Sequence, residues 1–502
     1  MRTRLTWAAY GVLATLAGLG VAHLVAALTV ADTSPVLAVG STVIDLTPTP
    51  MKDWAIERFG TKDKTVLVGS VMAGVLVLAG VAGLLARRRT RYGAGLLVVL
   101  VAIAAGAVLT RPKASVLDLG PSAVAAVVAV LALVWLAREQ TGAPESDAAG
   151  GGRRGVLLAI GALSAIAVVG GLGGRLVNKL RLRPEDIDLP DAADPAPALP
   201  KGLDDQVPGI TEFRTSNDDF YRVDTRLDVP IIDSGDWTLT IDGDVDRKVT
   251  LSFDDLLAMP LIERDITLTC VSNSVGGPYV GGARWLGVRL TDVLALAGVG
   301  STADQILSTD VDGMTISTPL ALATDGRDAM LAVGMNGEAL PREHGFPVRM
   351  IVPGLYGFIS ATKWVTRLTL TTYDDKKAYW TDRGWATDAP IKISTRIDTP
   401  KALATVDKGD VVVGGVAWAQ ERGGIQGVQV SIDGGAWQDA NLGPDGGNDY
   451  WRQWFYRWDA PSGSHRISAR AVAGNGEPQT AVRAEPFPNG ASGLHELIVD
   501  VA

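Results

Sequence analysis

The sequence predicts three parts: an N-terminal all-α transmembrane bundle of about five helices, then an α+β domain, then a C-terminal all-β sandwich of immunoglobulin-like type. Three observations predict it. The chain combines a positive mean hydropathy of +0.20 with 20% charged residues. Both hold only where apolar and polar stretches are segregated, and here the long apolar runs precede residue 175 while most acids follow it. Brief helical periodicity mixed with strand-like runs marks residues 210–398, and strand patterning alone marks 399–502.

Apolar runs long enough to cross a bilayer, each about 18–25 residues, lie at Leu5–Val30, Thr65–Ala86, Gly93–Thr110, Val116–Ala137 and Gly155–Gly173. They define a transmembrane domain over 1–175. Between the first two runs, Pro35–Lys64 carries Pro48, Pro50 and a short amphipathic piece around Trp54, Ile56 and Phe59, which is read as resting on the membrane surface. Cytoplasmic loops are enriched in Lys and Arg. With five crossings, Arg2 and Arg4, then Arg87, Arg88, Arg89 and Arg91, then Arg138, Arg153 and Arg154 all fall on one side. The other side holds the balanced set Lys52 to Lys64 among Asp53, Glu57 and Asp63, then Arg111 and Lys113. Everything after residue 175 is therefore expected outside the cytoplasm, on a multi-pass protein of the cytoplasmic membrane.

The Gly-rich stretch Thr141–Gly152 leads into Arg153-Arg154-Gly155-Val156-Leu157-Leu158. This is either an internal twin-arginine export signal, a route for domains folded around a cofactor, or a pair of positive-inside anchors. His23 is the only histidine in any span, so a haem held by paired imidazoles is not expected. Asp118, near a span end, is read as an interfacial residue. The bundle is expected to serve as an anchor or docking platform in membrane lipid.

Residues 176–209 form a linker, with Arg181–Val207 rich in Pro, Asp and Ala and lacking an apolar period. In 210–398, Trp237–Ile241 is a strand before the turn Asp242-Gly243, and helices are expected at Phe253–Met259, capped by Ser252, and at Leu290–Ala297. In 399–502, strand runs at Val411–Trp418, Gly427–Ile432, Trp451–Trp458 and His465–Val472 alternate with Asp433-Gly434-Gly435, Pro444-Asp445-Gly446 and Pro461-Ser462-Gly463, the spacing of a sandwich. The aromatics Trp451, Trp454, Phe455, Tyr456 and Trp458 are read as sandwich core plus one interface face rather than a ligand site.

A net charge of −9 offers no basic stripe for nucleic acid. The single cysteine, Cys270, excludes an internal disulfide. A lone thiol in an exported domain is either a small buried hydrophobe or a functional group.

Three stretches carry the chemistry together. They are Thr215-Ser216-Asn217-Asp218-Asp219-Phe220-Tyr221-Arg222-Val223-Asp224, then Leu268-Thr269-Cys270-Val271-Ser272-Asn273 at the end of a strand-like run, then Asn336 through Gly354 and on to Lys363-Trp364. The last sets His344, Arg349 and Lys363 across a Pro- and Gly-rich loop that can bring backbone amides close to an anionic, phosphorylated ligand. Arg342 with Glu343 can equally be a surface ion pair, and Pro353-Gly354 an ordinary turn.

The run His-Gly-Phe-Pro-Val-Arg, the following Val-Pro-Gly turn and the Lys-Trp pair resemble the pterin-binding loop of the sulfite oxidase family. The resemblance covers roughly residues 210–502. It implies a molybdenum-molybdopterin cofactor, with Cys270 as the thiolate on molybdenum, a soft ligand beside dithiolene sulfurs. It further implies that His344, Arg349 and Lys363 hold the phosphate and pyran ring and that Phe220, Tyr221, Arg222 and Asp224 form the opposite wall. Asp310 and Thr362 complete the implied cofactor set, and the C-terminal sandwich resembles that family's dimerisation domain.

The sequence departs from the family on the substrate side. Sulfite-oxidising members follow the cysteine at close spacing with arginines, whereas Asn273 here leads into Ser274-Val275-Gly276-Gly277. Where such enzymes carry an active-site tyrosine, the stretch Tyr379 to Trp385 puts Trp385, whose indole donates weakly and cannot accept. Arg222 is the remaining substrate-side cation, so Cys270, Arg222 and Trp385 are the expected catalytic residues. Two lost charge-assisted contacts would forfeit on the order of 3–6 kcal/mol of sulfite recognition. The expected activity is oxo transfer with a neutral or weakly charged small molecule such as a sulfoxide. Sulfite oxidation with arginines supplied from elsewhere, such as Arg284 or Arg383, is the second reading, and a non-catalytic binding protein with a vestigial pterin fold the third. Electrons are expected to pass to a separate electron-transfer protein or a quinone.

Overall fold

The computed structural model describes residues 2–48, 51, 54–55, 58–59, 63–111, 114–141, 151–181 and 187–502. Its internal contacts divide the chain into two units, Met1–Arg183 with Thr225–Ile231, and Pro184–Asp224 with Ile232–Ala502.

The first unit contains helices α1 (Arg2–Leu28), α2 (Pro35–Leu46), α3 (Asp63–Ala86), α4 (Thr90–Leu109), α5 (Gly120–Thr141) and α6 (Gly151–Arg181). Five segments are long and apolar enough to cross a membrane: Arg4–Leu28, Lys64–Ala86, Thr90–Leu109, Val116–Gln140 and Gly155–Arg181. These are the five runs expected. Helix α1 packs on its neighbours through glycines: a Cβ on Gly11 would strike the backbone of Ala79 and Gly83 in α3, and one on Gly20 would strike Ala167 in α6. Such close backbone approach supplies dispersion where lipid removes the hydrophobic drive. Tyr10 donates to Gln140 Oε1 at 2.7 Å, which satisfies both polar groups inside the bundle.

Helix α2 was not anticipated. Ser34 precedes it and Pro35 occupies its first turn, where a missing N–H costs nothing. Its 12 residues are too few to span. The amphipathic piece expected after it is described only in part, Ile56 lying outside the described residues, with Trp54 edge-on to Phe59. Most of Thr141–Gly152 also lies outside them. Arg153 and Arg154 fall in the first turn of α6, and their side chains are outside the described set. Asp118 accepts from the backbone N–H of Ser115 at 2.7 Å and so caps the short 3-10 turn before α5. The segment Thr225–Ile231 also belongs to this unit: Arg226 pairs with Asp32 at 3.7 Å, and its carbonyl accepts from Lys64 Nζ at 2.6 Å.

In the second unit, residues 187–209 carry little regular structure, as their composition implies, yet they are laid against the domain. Asp194 bridges to Ile262 and pairs with Arg264 at 2.5 Å, and Leu203 and Val207 are buried. The α+β part contains strands β1 (Thr238–Gly243), β2 (Val249–Ser252), β3 (Leu261–Thr269), β4 (Val280–Arg289), β5 (Gln305–Asp310), β6 (Thr315–Pro319), β7 (Met330–Met335), β8 (Glu338–Ala339), β9 (Arg349–Ile351) and β10 (Val365–Thr371). One sheet runs β2-β1-β10-β5-β6. The other runs β3-β4-β7-β8, with β9 on β7. Helix α7 (Phe253–Leu257) starts from the Ser252 cap, whose hydroxyl accepts from Asp255 N while the Asp255 carboxylate accepts in return. Helix α8 (Leu290–Ala297) ends at Gly298, φ 71°.

The C-terminal part has strands β11 (Ser394–Thr399), β12 (Thr405–Val406), β13 (Gly409–Trp418), β14 (Ile425–Ile432), β15 (Gln438–Asp439), β16 (Asn441–Leu442), β17 (Arg452–Ala460), β18 (Gly463–Ala473) and β19 (His495–Val501). They form two sheets, β11-β13-β17-β16 and β12-β19-β18-β14-β15. Val413 and Trp454 from the first sheet share one core with Val430, Ile467 and Val499 from the second. Trp454 and Trp458 are buried in this sandwich core, as expected, whereas Trp451 is buried in the core of the α+β part.

Candidate functional site

Cys270 follows the last residue of β3, and its N–H bonds to Tyr279 O at 3.0 Å, which closes the loop between β3 and β4. The thiol is buried and free, with Ser272 Oγ 3.0 Å from its sulfur. Burial raises its pKa, while the Ser272 hydrogen bonds and the charge of Lys363 act to lower it. A buried apolar-lined thiol is inert, whereas a metal would bind its thiolate and reverse that balance.

Around it the structure assembles the two remaining stretches. Phe220 stacks on Tyr221 at 5.2 Å and stands edge-on to Trp285 and to His344 at 5.5 Å. Tyr221 is half-buried, and its pKa is raised by desolvation and by the nearby Cys270. The Asp224 carboxylate receives Lys363 Nζ at 2.6 Å and Arg222 Nε at 2.8 Å. Lys363 also donates to Glu343 O at 3.1 Å, and burial brings its pKa down to about 8.

His344 sits 2.8 Å from Asn217 O through Nε2. A carbonyl only accepts, so Nε2 carries the proton and Nδ1 keeps its lone pair. Burial lowers the imidazole pKa to about 4, against the Asn217 bond, which raises it. Arg349 opens β9 and donates to His344 O at 3.0 Å, its guanidinium 5.0 Å from the Trp285 ring. Burial brings its pKa down to about 10, and its buried Nε has no partner among the described residues.

The structure thus brings Phe220, Tyr221, Arg222, Asp224, Cys270, His344, Arg349 and Lys363 into one network. Asp310 and Thr362 support it from behind. Asp310 Oδ1 accepts the N–H groups of Asp312 and Met314 and so shapes the β5–β6 turn. Thr362 Oγ1 bonds Ser308 Oγ at 2.5 Å, and its carbonyl accepts from Met350.

Trp385 is held in an aromatic cluster. A 3-10 turn at Thr381–Arg383 and Gly384 in the left-handed region fold it back so that its N–H bonds to Trp380 O. Among the described residues its ring meets Phe358, Trp380 and Phe487. Tyr356, in the turn after β9, is buried, and its pKa is pushed up to about 12, chiefly by that burial. Sequence reasoning missed it, although it lies two residues beyond Pro353-Gly354.

The arginines suggested as replacement substrate ligands are committed. Arg284 is bound to Asp265 at 2.6 Å and to Glu263 at 3.4 Å, and Arg383 lies over the Tyr379 ring while donating to Tyr379 O. The loop after Cys270 carries no cation of its own. It is held from the C-terminal part, where Arg396 donates to Gly277 O at 3.0 Å and the His495 ring lies where a Cβ on Gly276 would have to go.

Residues 226–380 match the family model described as the oxidoreductase molybdopterin binding domain. The chain is 31% identical over 327 residues to the mitochondrial sulfite oxidase of Homo sapiens, covering 56% of this chain and 57% of that protein. It is 33% identical over 315 residues to the mitochondrial sulfite oxidase of Drosophila melanogaster, covering 52% and 54%. The chain thus spans little more than half the length of these relatives. Among solved structures, the sulfane dehydrogenase SoxCD from Paracoccus pantotrophus shares the fold with a TM-score of 0.51 and 24% identity, over 63% of this chain and 95% of that one.

The family implies a molybdenum-molybdopterin cofactor, and the residues present fit it. A buried guanidinium with an unpartnered Nε, a lysine of depressed pKa and a neutral imidazole suit a phosphorylated pterin, and the buried free thiol suits molybdenum. Through residues 226–380 the chain carries an oxidoreductase molybdopterin binding domain and is similar to the sulfite oxidases.

Proposed function

We propose that the chain is a membrane-anchored enzyme, its catalytic part outside the cytoplasm, that moves an oxygen atom to or from a neutral or weakly charged small molecule such as a sulfoxide. Bound at the site, the cofactor supplies a two-electron couple and an oxygen-accepting metal. The electrons are exchanged with a separate redox protein or a membrane quinone.

Each residue then has a role. Cys270 ligates the metal, and Lys363, Arg349 and His344 hold the anionic and polar edge of the pterin, with Arg349 Nε as the donor still open. That open donor carries the proposal: a buried guanidinium is costly unless a ligand pairs with it. His344 Nδ1 is an acceptor for a pterin N–H. Phe220 and Tyr221 exclude water from one face, and Asp224 aligns Lys363 and Arg222. Asp310 and Thr362 position the loops. Trp385 offers its indole N–H, a weak donor that cannot accept, on the substrate side. The C-terminal sandwich acts as an immunoglobulin-like dimerisation domain, and the protein as a homodimer.

Sulfite oxidation is the second reading, favoured by the likeness to sulfite oxidases. Against it stand the uncharged loop Asn273–Gly277 and the commitment of Arg284 and Arg383. Steady-state kinetics with a dialkyl sulfoxide and an artificial electron donor, compared with sulfite and an artificial acceptor, separates the two. Turnover of the sulfoxide with little on sulfite is expected. A higher kcat/KM on sulfite would overturn the assignment of a neutral substrate.

A further inference from the structure

A polar cavity lies on the sandwich side of the loop that follows Cys270. Thr269, Asn273 and Gly276 line it from the α+β part, Tyr356 from the turn after β9, and Trp418 and Gln479 from the C-terminal part. The space open to the centre of a water molecule is about 20 Å³. A single water needs roughly 10–15 Å³ by that measure.

Two buried atoms of residues in this lining have no partner among the described residues: Thr269 Oγ1 and the indole Nε1 of Trp418. Their residues are 2% and 3% exposed. Other lining groups are occupied. Gln479 spends its oxygen on Ala471 N and its nitrogen on Gly493 O, and Asn273 Oδ1 accepts from Tyr279 N. An indole N–H can only donate, and a hydroxyl can do both. Buried polar groups left unpaired are destabilising, so two such groups on the residues of one water-sized, uncharged cavity point to a site for a neutral oxygen.

We propose that this cavity binds one water molecule, held by the Trp418 indole and the Thr269 hydroxyl, and that the water locks the Asn273–Gly277 loop in place. The C-terminal part is thereby a positioning element of the site: it supplies Trp418, the Arg396 bond to Gly277 O and the His495 ring against Gly276. The loop itself bears two internal reporters, the Gly277 N–H on Ser274 O and the Tyr279 N–H on Asn273 Oδ1.

The test measures hydrogen exchange of the peptide covering residues 273–279 in the full-length protein, for Trp418→Phe, Thr269→Val and the double variant. Each single variant should speed exchange roughly fivefold, the factor that one lost hydrogen bond carries. The double variant should go little further, because both changes release the same water. Trp454→Phe is the control: Trp454 Nε1 is also buried and unpartnered but lies off this cavity, so exchange at 273–279 should not change. A crystal structure should show one water density between Thr269 and Trp418. Multiplicative effects in the double variant, equal loosening by Trp454→Phe, or a cavity without density would each overturn the proposal.

Discussion

Removing the Asp224 carboxylate tests how the site manages buried charge. Asp224 is the counterion of Lys363 and Arg222, with side-chain exposures of 7% for Asp224, 10% for Lys363 and 31% for Arg222. In Asp224→Asn, Arg222 can turn to solvent at little cost. Lys363 cannot, so it loses its proton instead. Its pKa in the intact site is about 8, below the free value of 10.5, and it falls further without the carboxylate. The variant's folded state then binds fewer protons than the intact protein below pH 8, so its relative stability falls as pH falls. With 1.36 kcal/mol per pH unit, the deficit is about 1.4 kcal/mol at pH 7, about 2.7 kcal/mol at pH 6 and near zero at pH 9. Melting of the cofactor-free full-length protein, followed by tryptophan fluorescence at the three pH values, measures it. At about 2–4 °C per kcal/mol, the loss should show as roughly 3–6 °C at pH 7 and vanish at pH 9. A loss that is the same at pH 6 and pH 9 would refute the reasoning.

Three further outcomes follow from other residues. Arg349→Met should raise the stability of the cofactor-free protein by about 1–3 kcal/mol, since it removes a desolvated guanidinium, and should lower cofactor content in the same preparation; unchanged content by metal analysis would contradict the role given to Arg349. Asp449 is held protonated up to about pH 6, first by burial and then by Asp328 and Glu421, so its contribution to stability is lost as pH rises from about 4 through 6. Asp449→Asn should therefore stabilise by up to about 3 kcal/mol at pH 7 and not at pH 4, as read by melting temperature. Replacing both Arg153 and Arg154 by Lys should strand the catalytic part in the cytoplasm, detected by protease accessibility in spheroplasts; normal export would leave these arginines as anchors alone.

Much of the fold and site is legible in the sequence because the physics is local. Five apolar runs mark the spans, Ser252 with Asp255 announces α7, and the residue types around His344, Arg349 and Lys363 point to an anionic ligand by themselves. The failures have equally definite causes. Helix α2 is short and lies where Pro48 and Pro50 draw attention away from the Pro35 start. Residues 187–209 look like a linker because the groups that anchor them, among them Asp194, Leu203 and Val207, fall at no regular spacing. The Arg396 and His495 contacts with the Cys270 loop join residues more than a hundred positions apart. Such pairings leave no periodic trace.

The central claim, that Cys270 holds molybdenum in a pterin site, is tested most directly by metal analysis of the purified full-length protein and its Cys270→Ser variant, made in cells that load other molybdoenzymes. The account predicts stoichiometric molybdenum and turnover in the wild type, and loss of turnover in a variant that is still made and inserted. Trace molybdenum in the wild type, or activity surviving in Cys270→Ser, would contradict it.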